Sequence, residues 1–160
     1  FLEPSCASVF RDELGNFFPA DDRAARLREL SFLLADFLLR CTPKYRPPSL
    51  EGRSVVLHGH CHQKSQTKMK AEVAVLERAG AQVAVLDSGC CGMAGPFGFE
   101  KEKFAISQAL AERSLLPAVR AAAPETILIA DGFSCREQVA QNSGRPILHL
   151  AQVLRGVERS

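Results

Sequence analysis

The chain has 160 residues, of which 46% are hydrophobic, and a formal net charge of +2. This length suits one ordinary domain with a full core, and the nearly balanced charge argues against a nucleic-acid partner. All apolar runs are far shorter than the roughly 20 residues of a membrane helix, so we expect no membrane span. The chain begins with Phe1 rather than Met, which suggests a fragment of a longer protein.

The first fifty residues predict a strand end, helices and a proline-rich loop. Residues 1–6 are typical of a strand that runs into a turn, and Ser5 is a suitable cap for a short helix over 7–14. Apolar residues at helical spacing then predict one long helix over 21–40. Three prolines mark residues 42–52 as a loop.

From residue 53 onward, short apolar strands alternate with helices. The pattern predicts strands at 54–57, 82–86, 126–130 and 146–148, and helices at 66–79, 100–123 with a kink at Pro117, 134–141 and 149–156. The strands are continuous apolar runs, which is typical of a parallel sheet that is covered on both faces. We therefore predict an α/β fold with a Rossmann-like parallel sheet and helices on both faces.

The chain contains six cysteines, and a chain with a good core does not need disulfides to fold. We therefore favour thiols with a metal or redox role. Five of them follow the predicted end of a strand: Cys6, Cys61, Cys90, Cys91 and Cys135. Because the carboxyl ends of parallel strands share one edge of a sheet, we expect these thiols to meet there. Cys41 falls elsewhere.

The most unusual stretch is the loop 87–95, Asp-Ser-Gly-Cys-Cys-Gly-Met-Ala-Gly. Adjacent side chains diverge in regular structure, so Cys90 and Cys91 converge on one target only where the backbone curls, and the flanking glycines permit this. Thiolates are soft ligands, and four of them suit an iron–sulfur cluster or a tetrahedral zinc ion. The spacing matches neither a zinc finger nor a ferredoxin.

Other interpretations of these cysteines stay open. They could be small buried hydrophobic residues, as free cysteines often are. A thiol–disulfide redox module that uses Cys90 and Cys91 is a further alternative, although the Cys-x-x-Cys pattern of disulfide oxidoreductases is absent from the sequence. We assign no catalytic acid, base or nucleophile to the chain.

Three histidines surround Cys61, namely His58, His60 and His62. They are either polar loop residues that cap the next helix or groups that hydrogen-bond a sulfur or bind a metal. We select His60 and His62 as candidates for contacts around the ligands. For His149 we favour a structural role.

The motifs together resemble the cysteine-rich CCG domain of iron–sulfur oxidoreductases. The residues that carry the resemblance are Cys61, Gly-Cys-Cys-Gly-Met-Ala-Gly over 89–95, and Gly-Phe-Ser-Cys over 132–135. That family includes one of the subunits of heterodisulfide reductase, the iron–sulfur subunits of glycolate oxidase and anaerobic glycerol-3-phosphate dehydrogenase, and lactate-utilisation proteins. The resemblance covers residues 6–154 and is strongest to the C-terminal part of proteins that fuse this module to an FAD-linked oxidase domain and a ferredoxin-like domain.

The resemblance implies an electron-transfer module of an FAD-linked oxidoreductase that acts on a 2-hydroxy acid such as lactate or glycolate. The implied cofactor is an iron–sulfur cluster of the 4Fe-4S type, with FAD on a partner domain and a quinone as a further partner. The implied location is the cytoplasm or the inner face of the membrane. The implied ligands are Cys61, Cys90, Cys91 and Cys135, with Cys6 as a fifth. A non-catalytic scaffold with zinc on the same thiolates is the rival interpretation.

The family pattern, a Cys, then Cys-Cys, then Cys-x-x-Cys, occurs twice in each module. By resemblance, residues 1–52 are the tail of the first copy with its connecting helices, and residues 53–160 are the second copy. Two positions depart from the pattern: Gly132 and Glu3 stand where the first cysteine of each last pair would be. Four cysteines remain in the second copy.

Overall fold

The structure is a computed structural model that describes residues 1–156; the last four residues of the predicted second copy, 157–160, lie outside the described residues. The helices are α1 (Pro4–Ser8), α2 (Leu14–Phe17), α3 (Asp22–Leu30), α4 (Leu34–Cys41), α5 (Cys61–Gln66), α6 (Lys70–Arg78), α7 (Phe104–Glu112), α8 (Leu115–Ala121), α9 (Phe133–Ser143) and α10 (Leu150–Leu154). The strands are β1 (Ser54–His58), β2 (Gln82–Val85) and β3 (Ile127–Ala130).

The three strands form a parallel sheet in the order β2-β1-β3, with β1 in the centre. In the register, Val55 of β1 lies between Val83 of β2 and Ile127 of β3. Because both neighbours of β1 run in the same direction, the loops that follow all three strands emerge at one edge of the sheet. The prediction of an α/β fold with a parallel sheet is confirmed.

Helices cover both faces of the sheet, as predicted, and each face has its own hydrophobic core. Successive side chains of a strand point to opposite faces, so Leu57 and Ile129 enter one core, while Leu128 and Ala130 enter the other. The first core packs against α4, α6 and α10, and the second packs against α7, α8 and α9. The sheet edge is therefore held firmly from both sides.

The predicted fourth strand at 146–148 is wrong as a full strand. Only Leu148 pairs with the sheet, through an isolated parallel bridge to Ile129. Its N–H donates to the carbonyl of Leu128, and its carbonyl accepts from the N–H of Ala130. Pro146 lacks an N–H group and cannot extend the ladder, which limits the pairing to this bridge.

The amino-terminal predictions also need correction. Residues 1–6 do not end a strand: α1 begins at Pro4, where a proline without an N–H is well tolerated, and the carboxylate of Glu3 rather than Ser5 caps the helix. The predicted helix over 7–14 continues from α1 through a π-helical turn, Val9–Glu13, into α2. The long helix over 21–40 is two helices, because Ser31 adopts an extended backbone and its hydroxyl donates to the carbonyl of Leu27.

Two further helices are divided. The helix predicted over 66–79 starts earlier, as α5, and is interrupted before α6 by Lys68 and Met69, which both have a positive φ. The helical region 100–123 breaks between α7 and α8 rather than at Pro117. That proline lies in the first turn of α8, where its missing N–H has no helical partner to lose.

Among residues 1–156, no helix has the combination of length and apolar composition that a membrane crossing requires.

A buried polar network lies beneath the sheet edge. The side-chain amide of Gln63 on α5 donates to Glu72 Oε1 on α6 at 3.2 Å and to Asp131 Oδ2 after β3 at 2.9 Å. Asp131 Oδ1 accepts from the N–H of Leu150 at 3.0 Å. Within the described chain, Glu72 is 1% exposed and its Oε2 has no hydrogen-bond partner. The network therefore joins four elements but buries two carboxyl groups, those of Glu72 and Asp131, at a cost in solvation free energy.

Burial raises the pKa of Glu72 from its usual 4.5 to about 7, and the carboxylates of Asp131 and Asp36 contribute to the same rise. We expect the contribution of Glu72 to the free energy of unfolding to be highest below pH 4.5, where Glu72 is protonated in both states, and to be lost as pH rises from 4.5 through 7. Replacing Glu72 by Gln removes this loss, so Glu72→Gln should gain up to about 3 kcal/mol over wild type at pH 8 relative to pH 4.5.

Urea unfolding of both proteins across this pH range measures the difference. The control is Glu77→Gln on the exposed side of the same helix, which should show no such pH-dependent gain. An equal pH dependence in wild type and Glu72→Gln would contradict the prediction.

Candidate metal centre

The sheet edge collects the cysteines that follow the three strands. Cys61 is the first residue of α5, after β1; Cys90 and Cys91 lie in the loop after β2; Cys135 lies in the first turn of α9, after β3. All are free thiols. The order of the strands explains why residues 74 positions apart in the chain, Cys61 and Cys135, arrive at one place.

The four thiols form two pairs. Cys61 is exposed and Cys90 half-exposed, and these two are hydrogen-bonding partners; we call them the outer pair. Cys91 and Cys135 are 3% and 1% exposed and also hydrogen-bond each other; we call them the inner pair. Adjacent residues thus point to different partners, one toward solvent and one toward the core, as their geometry requires. This arrangement does not favour a disulfide bond between Cys90 and Cys91.

The inner pair has an uneven distribution of charge. The Cys135 thiol donates to the sulfur of Cys91, and this hydrogen bond lowers the pKa of Cys91 despite its burial. The same contact, together with burial, raises the pKa of Cys135. The contact therefore favours a thiolate on Cys91 and a proton on Cys135. In the outer pair, partial burial of the Cys61 sulfur, followed by the neighbouring thiol of Cys90, raises the pKa of Cys61, although the residue as a whole is exposed.

His58 is the second side-chain donor to Cys91, and sequence reasoning did not select it. It is 2% exposed at the end of β1, and its Nδ1 lies 2.8 Å from Ser88 Oγ. Since Nδ1 faces Ser88, the hydrogen bond to Cys91 comes from Nε2–H, and the Ser88 hydroxyl donates to Nδ1. The signal in the sequence was the inward-facing position of His58 on a buried strand.

His60 is placed beside the inner pair by the absence of a side chain at Gly132. A Cβ at that position would lie 2.3 Å from His60 Cδ2 and 3.3 Å from Cys135 Sγ. The imidazole therefore occupies the space that a larger residue at 132 would need. Its Nδ1 also accepts from the N–H of His62 at 3.3 Å, which caps α5 and confirms the capping interpretation; a contact of His60 with a sulfur or a metal stays a prediction. Burial lowers the pKa of His60, which favours a neutral ring.

His62 faces the amino-terminal helices. Its Nδ1 lies 2.6 Å from Ser8 Oγ, whose own proton is donated to the carbonyl of Ser5 at 2.7 Å. Nδ1 therefore carries the proton that is donated to Ser8. Cys6 is exposed on α1 and is not among the groups that shift the pKa of the four paired thiols, so the described residues do not place it with them. His149 caps α10, as a structural residue would.

Two side chains hold the loop that carries Cys90 and Cys91. The ammonium group of Lys64 on α5 donates to the carbonyls of Ser88 and, at 3.0 Å, Gly89. The buried amide of Gln138 on α9 donates to the carbonyl of Cys91 at 2.8 Å. The loop is thereby tied to the elements that carry Cys61 and Cys135. Sequence reasoning predicted neither contact, because the targets are backbone atoms distant in the chain.

The donor set fits a soft metal centre. Cys61 feels the charges of Cys90 and Cys91, and Cys135 feels those of the other three thiols, so the four sulfurs share one electrostatic environment. Sulfur donors without carboxylates suit iron–sulfur clusters or zinc. Over residues 1–156, however, no three His, Cys, Asp or Glu side chains already stand in the geometry of a metal site. A bound group would have to draw the two pairs together.

We expect the substitution His58→Phe to raise the pKa of Cys91, because the thiolate loses its imidazole donor. Titration of thiolate absorbance in the reduced, metal-free protein measures this change. Ser88→Ala keeps His58 as the donor but removes the hydroxyl that orients its ring. This variant should therefore raise the pKa of Cys91 by less than His58→Phe does. Cys91→Ser identifies the Cys91 step; an unchanged step in His58→Phe would refute the contact.

The substitution Gly132→Ala should lower the free energy of unfolding by about 1–3 kcal/mol, because its Cβ overlaps the ring of His60. The backbone of Gly132 has an ordinary φ of −69°, so the effect is steric and not conformational. Gly15→Ala in α2 is the matched control, since a Cβ there meets nothing within 4 Å. Urea unfolding measures the free energy of unfolding of both variants and of wild type. If Gly132→Ala is as stable as wild type, the ring of His60 moves aside without cost and the prediction is wrong.

Comparison with known proteins relates the chain to two dehydrogenases. D-2-hydroxyglutarate dehydrogenase of Escherichia coli is 29% identical over 156 residues, which are 96% of this chain and 15% of that protein. One subunit of the anaerobic glycerol-3-phosphate dehydrogenase of Escherichia coli is 28% identical over 157 residues, 94% of this chain and 39% of that protein. D-2-hydroxyglutarate dehydrogenase of Pantoea ananatis is 36% identical over 81 residues, 51% of this chain and 8% of that protein.

The chain thus spans well under half the length of these relatives. No family model matches it, and no solved structure matches it. Nearly the whole chain is similar to segments of larger dehydrogenase proteins.

Proposed function

We propose that the chain is an iron–sulfur electron-transfer module of an FAD-linked oxidoreductase. The observation that carries the proposal is the meeting of four thiols from three strand-end loops at one sheet edge. The similarity to two dehydrogenases supports an oxidoreductase context. The proposed ligands are Cys61, Cys90, Cys91 and Cys135, and the proposed group is a 4Fe-4S cluster. When bound, such a cluster accepts and donates single electrons.

The residues around the thiols would prepare them for this group. His58 donates to Cys91 and stabilises its thiolate, which is the form that binds a metal. Lys64 places a positive charge beside the outer pair and fixes the loop carbonyls. The inner pair is shielded from water, while the outer pair is open to solvent, so electrons would enter and leave on the side of Cys61.

The proposal includes a CCG module in which residues 1–52 end a first copy and residues 53–160 form the second. The family pattern has a cysteine at position 132. The ring of His60 fills the space that this cysteine side chain would need. This supports a centre with four cysteine ligands rather than five. Cys6 is not among the groups that shift the pKa of the four paired thiols, so it is left out of the proposed ligand set.

The whole protein would act on a 2-hydroxy acid. D-2-hydroxyglutarate belongs to the same chemical class as lactate and glycolate, so the relatives support the class without selecting its member. FAD would lie on a partner domain, with a ferredoxin-like domain between, and a quinone would be the acceptor. We propose a place in the cytoplasm or at the inner face of the membrane. The module itself would bind no substrate.

A zinc-stabilised scaffold is the second candidate. The observation in its favour is the sulfur-only donor set with an inner pair that is closed to solvent, as in structural zinc sites. In that case the chain would hold a metal without a redox function.

One experiment separates the two candidates. We expect anaerobically purified or reconstituted protein to contain iron and equimolar acid-labile sulfide, with an EPR signal on reduction. Cys135→Ser should lose this centre, whereas Cys41→Ser should keep it, because Cys41 lies at the end of α4, away from the site. Stoichiometric zinc without iron would overturn the electron-transfer proposal in favour of the scaffold.

A further inference from the structure

We infer that the outer pair is a redox modification site: in the metal-free protein, Cys61 and Cys90 react with a small disulfide and close an intramolecular disulfide bond. This goes beyond the proposed function, because the reaction needs no cluster, although it uses two of the same thiols. It also differs from a vicinal Cys90–Cys91 bond, since the partner of Cys90 is on another element.

The contrast in exposure selects the outer pair. Cys61 is exposed and Cys90 is half-exposed, so the outer pair is the more accessible of the two pairs to a small disulfide. Cys91 and Cys135 are almost fully buried and cannot meet it without local unfolding. Of the two pairs, only one is therefore open to attack in the folded state.

The contacts around the outer pair hold its sulfurs together. Cys61 and Cys90 are hydrogen-bonding partners, and the N–H of Gly92 donates to Cys90 Sγ at 3.3 Å. Lys64 stands three residues after Cys61 on α5 and binds the carbonyls of Ser88 and Gly89, just before Cys90. The helix that carries one thiol therefore grips the loop that carries the other. The two elements that carry the outer pair are therefore already in contact.

The chemistry proceeds by two exchanges. One protein thiolate attacks a sulfur of glutathione disulfide, forms a mixed disulfide and releases one glutathione thiolate. The second protein thiolate attacks the protein sulfur of the mixed disulfide and releases the other glutathione. In total, two protein thiols and one glutathione disulfide give one protein disulfide and two glutathione thiols. Two electrons pass to the small disulfide, and the two thiol protons go to the glutathione thiolates.

The consequence for the site is a loss of two donors. A disulfide sulfur is not a thiolate ligand, so the oxidised pair leaves only Cys91 and Cys135 for a metal. Oxidation would thus block the loading of the centre until a thiol reductant restores the pair.

The test is disulfide mapping on the reduced, metal-free full chain. Glutathione disulfide is added anaerobically, remaining thiols are alkylated, and the protein is digested with trypsin. Cys61 then lies in peptide 54–64, Cys90 and Cys91 in peptide 79–101, and Cys135 in peptide 121–136. We expect peptides 54–64 and 79–101 to be joined, and peptide 121–136 to be alkylated.

Variants sharpen the result. Cys90→Ser should abolish the joined peptides, while Cys41→Ser, which removes an exposed cysteine elsewhere, should leave them. Lys64→Met should slow the second exchange several-fold, so that the mixed disulfide accumulates; Lys70→Met on the exposed side of α6 should not.

Three outcomes in wild type would overturn the inference: a disulfide within peptide 79–101, a disulfide to peptide 121–136, or mixed disulfides alone. None of these outcomes bears on cluster assembly in reduced protein, which tests the proposed function separately.

Discussion

Two neighbouring side chains on one backbone cannot point the same way, and the candidate site is built on that constraint. Cys90 turns toward solvent and meets Cys61, while Cys91 turns into the core and meets Cys135. The loop after β2 thereby connects to the loops that follow β1 and β3. The result is an open pair and a closed pair of thiols, with different access to water and to reagents. Both the proposed electron-transfer role and the proposed thiol exchange follow from this division.

Amide side chains make the arrangement rigid. Gln138 fastens the backbone at Cys91 to α9, and Gln63 links α5 to α6 and to the end of β3 through two carboxylates. An amide can donate and accept at the same time, so it joins buried polar groups without adding charge. Glu72 is the exception, with one oxygen left without a partner among the described residues. A buried polar network of this kind specifies where each loop must lie.

The three histidine side chains near the thiols make different hydrogen bonds and therefore have different roles. His58 is fixed by Ser88 and donates to Cys91, whereas His60 uses its ring to cap α5 and to fill the space beside Gly132. His62 is turned toward Ser8 and ties the amino-terminal helices to α5. Three histidines in one short stretch therefore have three different environments. Their sequence spacing alone does not distinguish these roles.

The sequence by itself determined the fold class and the shared edge. Continuous apolar strands followed by helices require a covered parallel sheet, and the cysteines after β1, β2 and β3 must then converge. Local signals could not show that Ser31 ends a helix, that 146–148 forms only one bridge, or that Glu3 caps α1, because each depends on competition among nearby backbone partners. The pairing of Cys61 with Cys90, and the contact of His58 with Cys91, were decided only by tertiary structure. Side-chain direction and burial depend on packing between elements distant in the chain, and a one-dimensional pattern does not contain them.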